Sequence, residues 1–151
     1  MSYMFAHCYS LVSLDLRDFN TSNVTNTRGM FNGCHNLTSV DVSSFNTSNV
    51  TDMWLMFGYC YSLTSLSLSN FNTGNVVDME KMFYLDHDLI TIYVGNNWNT
   101  SGVTSSTDMF SDCTSLVGQQ GTVYDSNYID KTYARVDGGP SSPGYLSILS
   151  V

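Results

Sequence analysis

The side chains in this chain with types suited to chemistry are four cysteines, three histidines and a set of aspartates. Cys8, Cys34, Cys60 and Cys113 each follow a methionine by four residues, so they form one column of a repeat and not a C-x-x-C pair. Zinc needs ligands converging on one point, which a column does not supply. Parallel side chains also fit the disulfide torsion poorly, so the expectation is a ladder of reduced, buried thiols packing as small apolar residues. His35 and His87 share a column two copies apart and His7 stands elsewhere in its copy, which points to surface histidines beside Tyr9 and Tyr61. Asp15 and Asp41 are expected to project from adjacent strands about 5 Å apart. Such a pair suits a cation, but Ser67 and Tyr93 end the column and calcium takes six to eight oxygens, so a solvated acidic patch is the expectation. No nucleophile-base pair, acid/base carboxylate pair or phosphate-cradling glycine loop is present, so no catalytic residue, metal or cofactor is expected.

These columns exist because the chain repeats. The pairs Met4-Phe5, Met30-Phe31, Met56-Phe57, Met82-Phe83 and Met109-Phe110 are separated by 26, 26, 26 and 27 residues. A period of this length marks a stacked repeat array, since one copy cannot bury its own apolar face. Leu11, Leu37, Leu63, Leu89 and Leu116 open an L-x-x-L-x-L pattern, continued by Leu14, Val40, Leu66 and Ile92 and then by Leu16, Val42, Leu68 and Val94. Its alternating end predicts one half-buried strand per copy, with at least four strands in a parallel sheet. Asn26, Asp52, Asp78 and Asp108 precede the Met-x-x-Met-Phe segments as helix N-caps would, predicting a short outer helical turn. The fourth copy's extra residue falls at Gly95-Asn96-Asn97, where a loop absorbs it.

The expected fold is therefore an α/β repeat solenoid, a leucine-rich-repeat-like right-handed coil with a parallel sheet on one face and short helical turns on the other. About five copies occupy residues 1–117 and a C-terminal capping segment occupies 118–151, with Tyr124, Tyr128, Tyr133 and Val136 as its packing contacts. The sequons at Asn20, Asn23, Asn46, Asn49 and Asn99 read as by-products of the repeat, whose Asn and Thr side chains satisfy turn backbone groups from copy to copy.

The consensus Met-Phe-x-x-Cys-x-x-Leu-x-x-Leu-x-Leu-x-x-Phe-Asn-Thr-Ser-Asn-Val-Thr-Asp-Met resembles the 26-residue bacterial surface-protein repeat of BspA-like leucine-rich proteins and mycoplasma lipoproteins. The tail from Thr122 to Tyr145 is similar to the terminal segment of gut-bacterial members. That resemblance implies an extracellular or bacterial cell-surface location and adhesion to host or neighbouring-cell molecules, without catalysis. Asp86 stands where other copies carry cysteine, a departure from the pattern.

A net charge of −8 argues against nucleic acid, and no apolar run is long enough for membrane insertion. Binding is expected on the outward sheet face, at Ser13, Asp15, Arg17, Ser39, Asp41, Ser65, Ser67, Thr91 and Tyr93, with Arg17 and Tyr93 as the anchors. Partners are a surface protein or a glycan. Tyr3, Tyr9, Tyr59, Tyr61 and Tyr84 make a carbohydrate-binding module one alternative, and a passive stalk is another. Met1 occupies the column of Met53 and Met79, as if an upstream copy had been cut away, so a head-to-head homodimer through residues 1–20 is also expected.

Overall fold

The computed structural model describes residues 1–149; Ser150 and Val151, at the end of the expected cap, lie outside the described residues. Each L-x-x-L-x-L segment does become a short strand: β1 (Ser13–Asp15), β2 (Ser39–Asp41), β3 (Ser65–Leu68) and β4 (Thr91–Val94). The pairing is parallel and follows the repeat, with Leu14 opposite Val40 and Leu66 opposite Ile92. Leu66, Leu68, Ile92 and Val94 point into the core while Ser65 and Ser67 face out, the alternation that a half-buried strand requires.

The α/β solenoid with outer helical turns is not what forms. Among the described residues there is no α-helix, and the strands make two small parallel sheets, β1–β2 and, with the tail strand β5 (Leu146–Ile148), β3–β4–β5, in place of one continuous sheet. A 3-10 turn, Lys131–Tyr133, lies in the tail. The Met-Phe segments fail to become helical because their N–H groups alternate in direction. Leu55, Phe57 and Tyr59 donate to Glu80, Met82 and Tyr84 of the next copy at 2.9, 3.0 and 2.8 Å. Between them, Met56 and Gly58 donate three residues back, to Met53 and Leu55. An α-helix would aim every N–H along its own axis. The alternation needs two left-handed residues per copy: Tyr3, Gly29, Leu55, Lys81 and Asp108 at φ 53–56°, and His7, Gly33, Tyr59, Leu85 and Asp112 at φ 61–76°. For a residue with a Cβ this conformation costs about 1–2 kcal/mol, which the inter-copy bonds must offset. Asn26, Asp52 and Asp78 do accept an N–H, each from the residue two further on at 2.9 Å, but they fold turns and cap no helix. Ser105, bridged to Asp78, takes that place in the fifth copy; Asp108 is one of the left-handed residues.

The core runs the length of the stack. Phe5, Phe31, Phe57, Phe83 and Phe110 stack with centroids 5.7, 5.3, 6.1 and 5.5 Å apart, among buried methionines and leucines. Buried threonines form a polar seam beside it. The Thr47 hydroxyl donates to the Asn72 carbonyl at 2.9 Å and accepts the Asn72 N–H at 2.8 Å; Thr21 and Thr73 serve Asn46 and Asn99 in the same way. Asn49 and Asn75 reach back to the carbonyls of Ser22 and Ser48, so the Asn-Thr-Ser phrases do satisfy turns from copy to copy.

After Leu116 the tail supplies by other means what a further copy would. The carbonyl of Ile129 accepts the Phe110 N–H at 2.9 Å, continuing the ladder that Met30, Met56, Met82 and Met109 serve below it. β5 (Leu146–Ile148) pairs in parallel with β4, and the buried Tyr145 meets Phe110 edge-on at 5.2 Å, ending the ring stack. Tyr124, Tyr133 and Val136 pack on the core, while Tyr128 lies outside it against Tyr133.

Candidate functional site

The sheet face positions the expected binding residues in two patches. Ser13, Asp15, Arg17, Ser39 and Asp41 line a shallow depression over β1 and β2. Thr91 and Tyr93 line another over β4 and β5, with Ile90, Gln119 and Ile148 around them. Ser65 and Ser67 lie on β3 between the patches, exposed, and line neither. The break between β2 and β3 separates the two groups.

Within the first patch the charges are already matched. Arg17 donates Nε to both Asp15 carboxylate oxygens, at 2.9 and 3.1 Å, and Nη2 to Oδ2 at 2.6 Å. Those bonds hold the Asp15 carboxyl at about 2. Asp41 is lowered by its hydrogen bonds with Ser43 and stands opposite Asp15 in the register. A cation would have to displace Arg17 from Asp15, and no cluster of three metal-ligating side chains exists among the described residues.

The cysteine column divides. Cys34, Cys60 and Cys113 are buried and free, and their thiols donate to the carbonyls of Phe5, Phe31 and Phe83 at 3.1, 3.3 and 2.9 Å. Burial pushes Cys34 up to about 11 and the other two well above the usual thiol range, so these groups are poor nucleophiles. Cys8, expected to be buried with them, is exposed. Asp86 sits fully buried in the same column, with Oδ1 accepting the Cys60 N–H at 2.8 Å and Oδ2 without a partner. Burial raises its carboxyl far above the ordinary carboxylate range.

The histidines join a surface stack. Tyr9, His35, Tyr61 and His87 follow one another with centroids 4.7, 4.6 and 5.8 Å apart. His7 bonds the Tyr9 hydroxyl at 3.2 Å, and Tyr59 stands against Tyr61 at 71°. His7, Tyr9, His35, Tyr59 and Tyr61, with Leu55 and Asn32, border a depression. Sequence reading placed the rings on the surface but missed Asn32, whose signal was a polar residue between the apolar Phe31 and Cys34 columns. It also missed Arg28, which lies 4.2 Å over the Trp54 ring and 3.1 Å from Asp52.

Residues 1–124 match a family described as "Mycoplasma protein of unknown function, DUF285". No curated protein and no solved structure matches the chain. No helix among the described residues is long and apolar enough to cross a membrane.

Proposed function

The chain belongs to the family described as Mycoplasma protein of unknown function, DUF285, and on that premise we propose that it is a non-catalytic module displayed on a bacterial cell surface, where it adheres to a protein. The observation that carries this reading is the register of the strands. Because β1 and β2, and β3 and β4, pair at the repeat period, small polar side chains lie level with one another across each sheet. Rows of this kind make a flat face suited to an extended protein surface.

On that face Tyr93 is the anchor. It is half-buried and flanked by Ile90 and Ile148, both about half exposed, at 49% and 48%. Aromatic side chains set among apolar neighbours carry much of the energy in protein interfaces. Arg17 contributes less than its charge suggests, since Asp15 already holds it. The resemblance to BspA-like surface repeats supports the location, and burial makes the Cys60 and Cys113 thiols poor nucleophiles.

The test is surface plasmon resonance against a panel of purified extracellular-matrix and bacterial surface proteins. Saturable binding to at least one of them is expected, with Tyr93→Ala weakening it about tenfold or more. No saturable binding across the panel, or binding unaffected by Tyr93→Ala, overturns the reading.

A further inference from the structure

We propose that the depression across the first three copies is a binding site for a neutral pyranose sugar. Its shape follows from two glycines. In the column three residues after the methionine, Gly33 stands between His7 and Tyr59, and its missing side chain lets the His7 ring lie over it at the edge of the depression. In the column one residue earlier, Gly58 follows Asn32 and makes room for the Leu55 side chain, which lines the depression beside the Asn32 amide. The resulting depression measures about 430 Å³, within the range of about 300–1,000 Å³ usual for small-ligand sites.

Its floor is polar and incompletely bonded. Asn32 is only 7% exposed, and its Oδ1 has no hydrogen-bond partner. An unpaired carbonyl oxygen at this depth is costly, and because it is shut off from solvent, a hydroxyl entering the depression reaches it only when the amide turns over. Rotation by half a turn about the last side-chain bond exchanges the two ends of the amide, so it can accept from or donate to a hydroxyl.

The walls are aromatic. His35 and Tyr61 stack at 4.6 Å, and Tyr59 turns out of that stack to meet Tyr61 at 71°, making a corner of rings above Leu55. No Lys, Arg, Asp or Glu lines the depression, so no carboxylate meets a cation there and no permanently charged base meets an anion. A pyranose has what this arrangement lacks: a C–H face for the ring corner and an edge of hydroxyls for the amide. The site shares no residue with the sheet-face patches and does not depend on the protein-contact reading.

Saturation-transfer NMR with the methyl glycosides of galactose, glucose and N-acetylglucosamine, followed by titration, tests it. At least one glycoside is expected to receive saturation from the wild-type protein and to bind with millimolar affinity. Tyr61→Ala and Asn32→Leu are each expected to weaken that binding about tenfold or more. Asn32→Leu keeps the buried volume and removes the amide. Should Tyr61→Ala fail to fold, Tyr59→Asn replaces it, since Asn tolerates the left-handed backbone there. Val77→Ser, on an exposed residue elsewhere, is expected to bind as the wild type does. Absence of transfer to all three glycosides, or wild-type affinity in the folded variants, overturns the proposal without touching the sheet-face reading.

Discussion

In the stacked copies each contact has a counterpart one copy away, whereas in the tail single residues act alone. The Phe57 ring is one of five in its ladder and the Thr47 hydroxyl one of three in its seam. In the tail, Asp137 alone accepts from the N–H groups of Gln120, Thr122 and Gly139 and from the Thr122 hydroxyl. Tyr145 alone spans Phe110 and Asp125, accepting the Asp125 N–H at 3.0 Å. Repetition spreads stability over weak equal terms, while the tail, with no period to rely on, concentrates it in a few side chains.

Phe57→Ala is the largest expected perturbation. Its ring is fully buried between Phe31 and Phe83, so removing it should cost about 4 kcal/mol, read from urea denaturation. A loss below about 2 kcal/mol would mean that the neighbouring rings close the gap, and that sharing within the stack goes further than geometry suggests.

Asp137→Ala comes next, at about 3 kcal/mol, because four donors lose a charged acceptor inside the tail. Burial pushes the Asp137 carboxyl up, but the bonds from Thr122, Gly139 and Gln120 outweigh it and hold the group at about 2. A lowered folded-state pKa means that this contribution is present above the ordinary carboxylate range and is lost as pH falls through about 2. The wild-type margin over the variant should therefore narrow between pH 4 and pH 2. A margin constant over that range would show that the carboxylate charge is not what organises the tail.

The smallest effect has the opposite sign. Asp86 interrupts the cysteine column inside the repetitive region, and its folded-state pKa is raised by burial. Its neutral form avoids the cost of burying a charge at low pH, and stability is lost as pH rises above the ordinary carboxylate range. Asp86→Cys restores the column and should raise stability at pH 7 by an amount on the order of 1 kcal/mol, a gain that disappears near pH 3. Thermal melts at the two pH values check this; equal melting at pH 7 would place Asp86 among the interchangeable positions.

The sequence makes the repeat legible because burial in a stack imposes one period on every column, from Met4 to Leu116. It makes the strands legible for the same reason. The turns are harder to read. Left-handed backbone usually announces itself through glycine or asparagine, and only the second copy does so, at Gly29 and Gly33. Elsewhere Tyr3, Leu55, Lys81 and Tyr59 adopt it because the bonds to the next copy demand it, and against that background a methionine-rich segment reads as a helix. The nine candidate residues do lie on or beside the strands, but the break after β2, which splits them into two patches, leaves no trace in the columns. Asn32 escaped notice because a buried polar residue stands out only once its neighbours' side chains are known.

The inter-copy bonds run along the axis of the stack, and this sets how the molecule responds to force. Tension applied at the two ends pulls each copy directly away from its neighbour, so few bonds bear load at a time and they break in succession. Each copy released adds up to about 90 Å of slack chain, from 26 residues at full extension. A chain held in tension would then yield in a series of steps, each dissipating work. The Phe110–Tyr145 contact and the β4–β5 pairing decide whether yielding starts from the tail or from the opposite end.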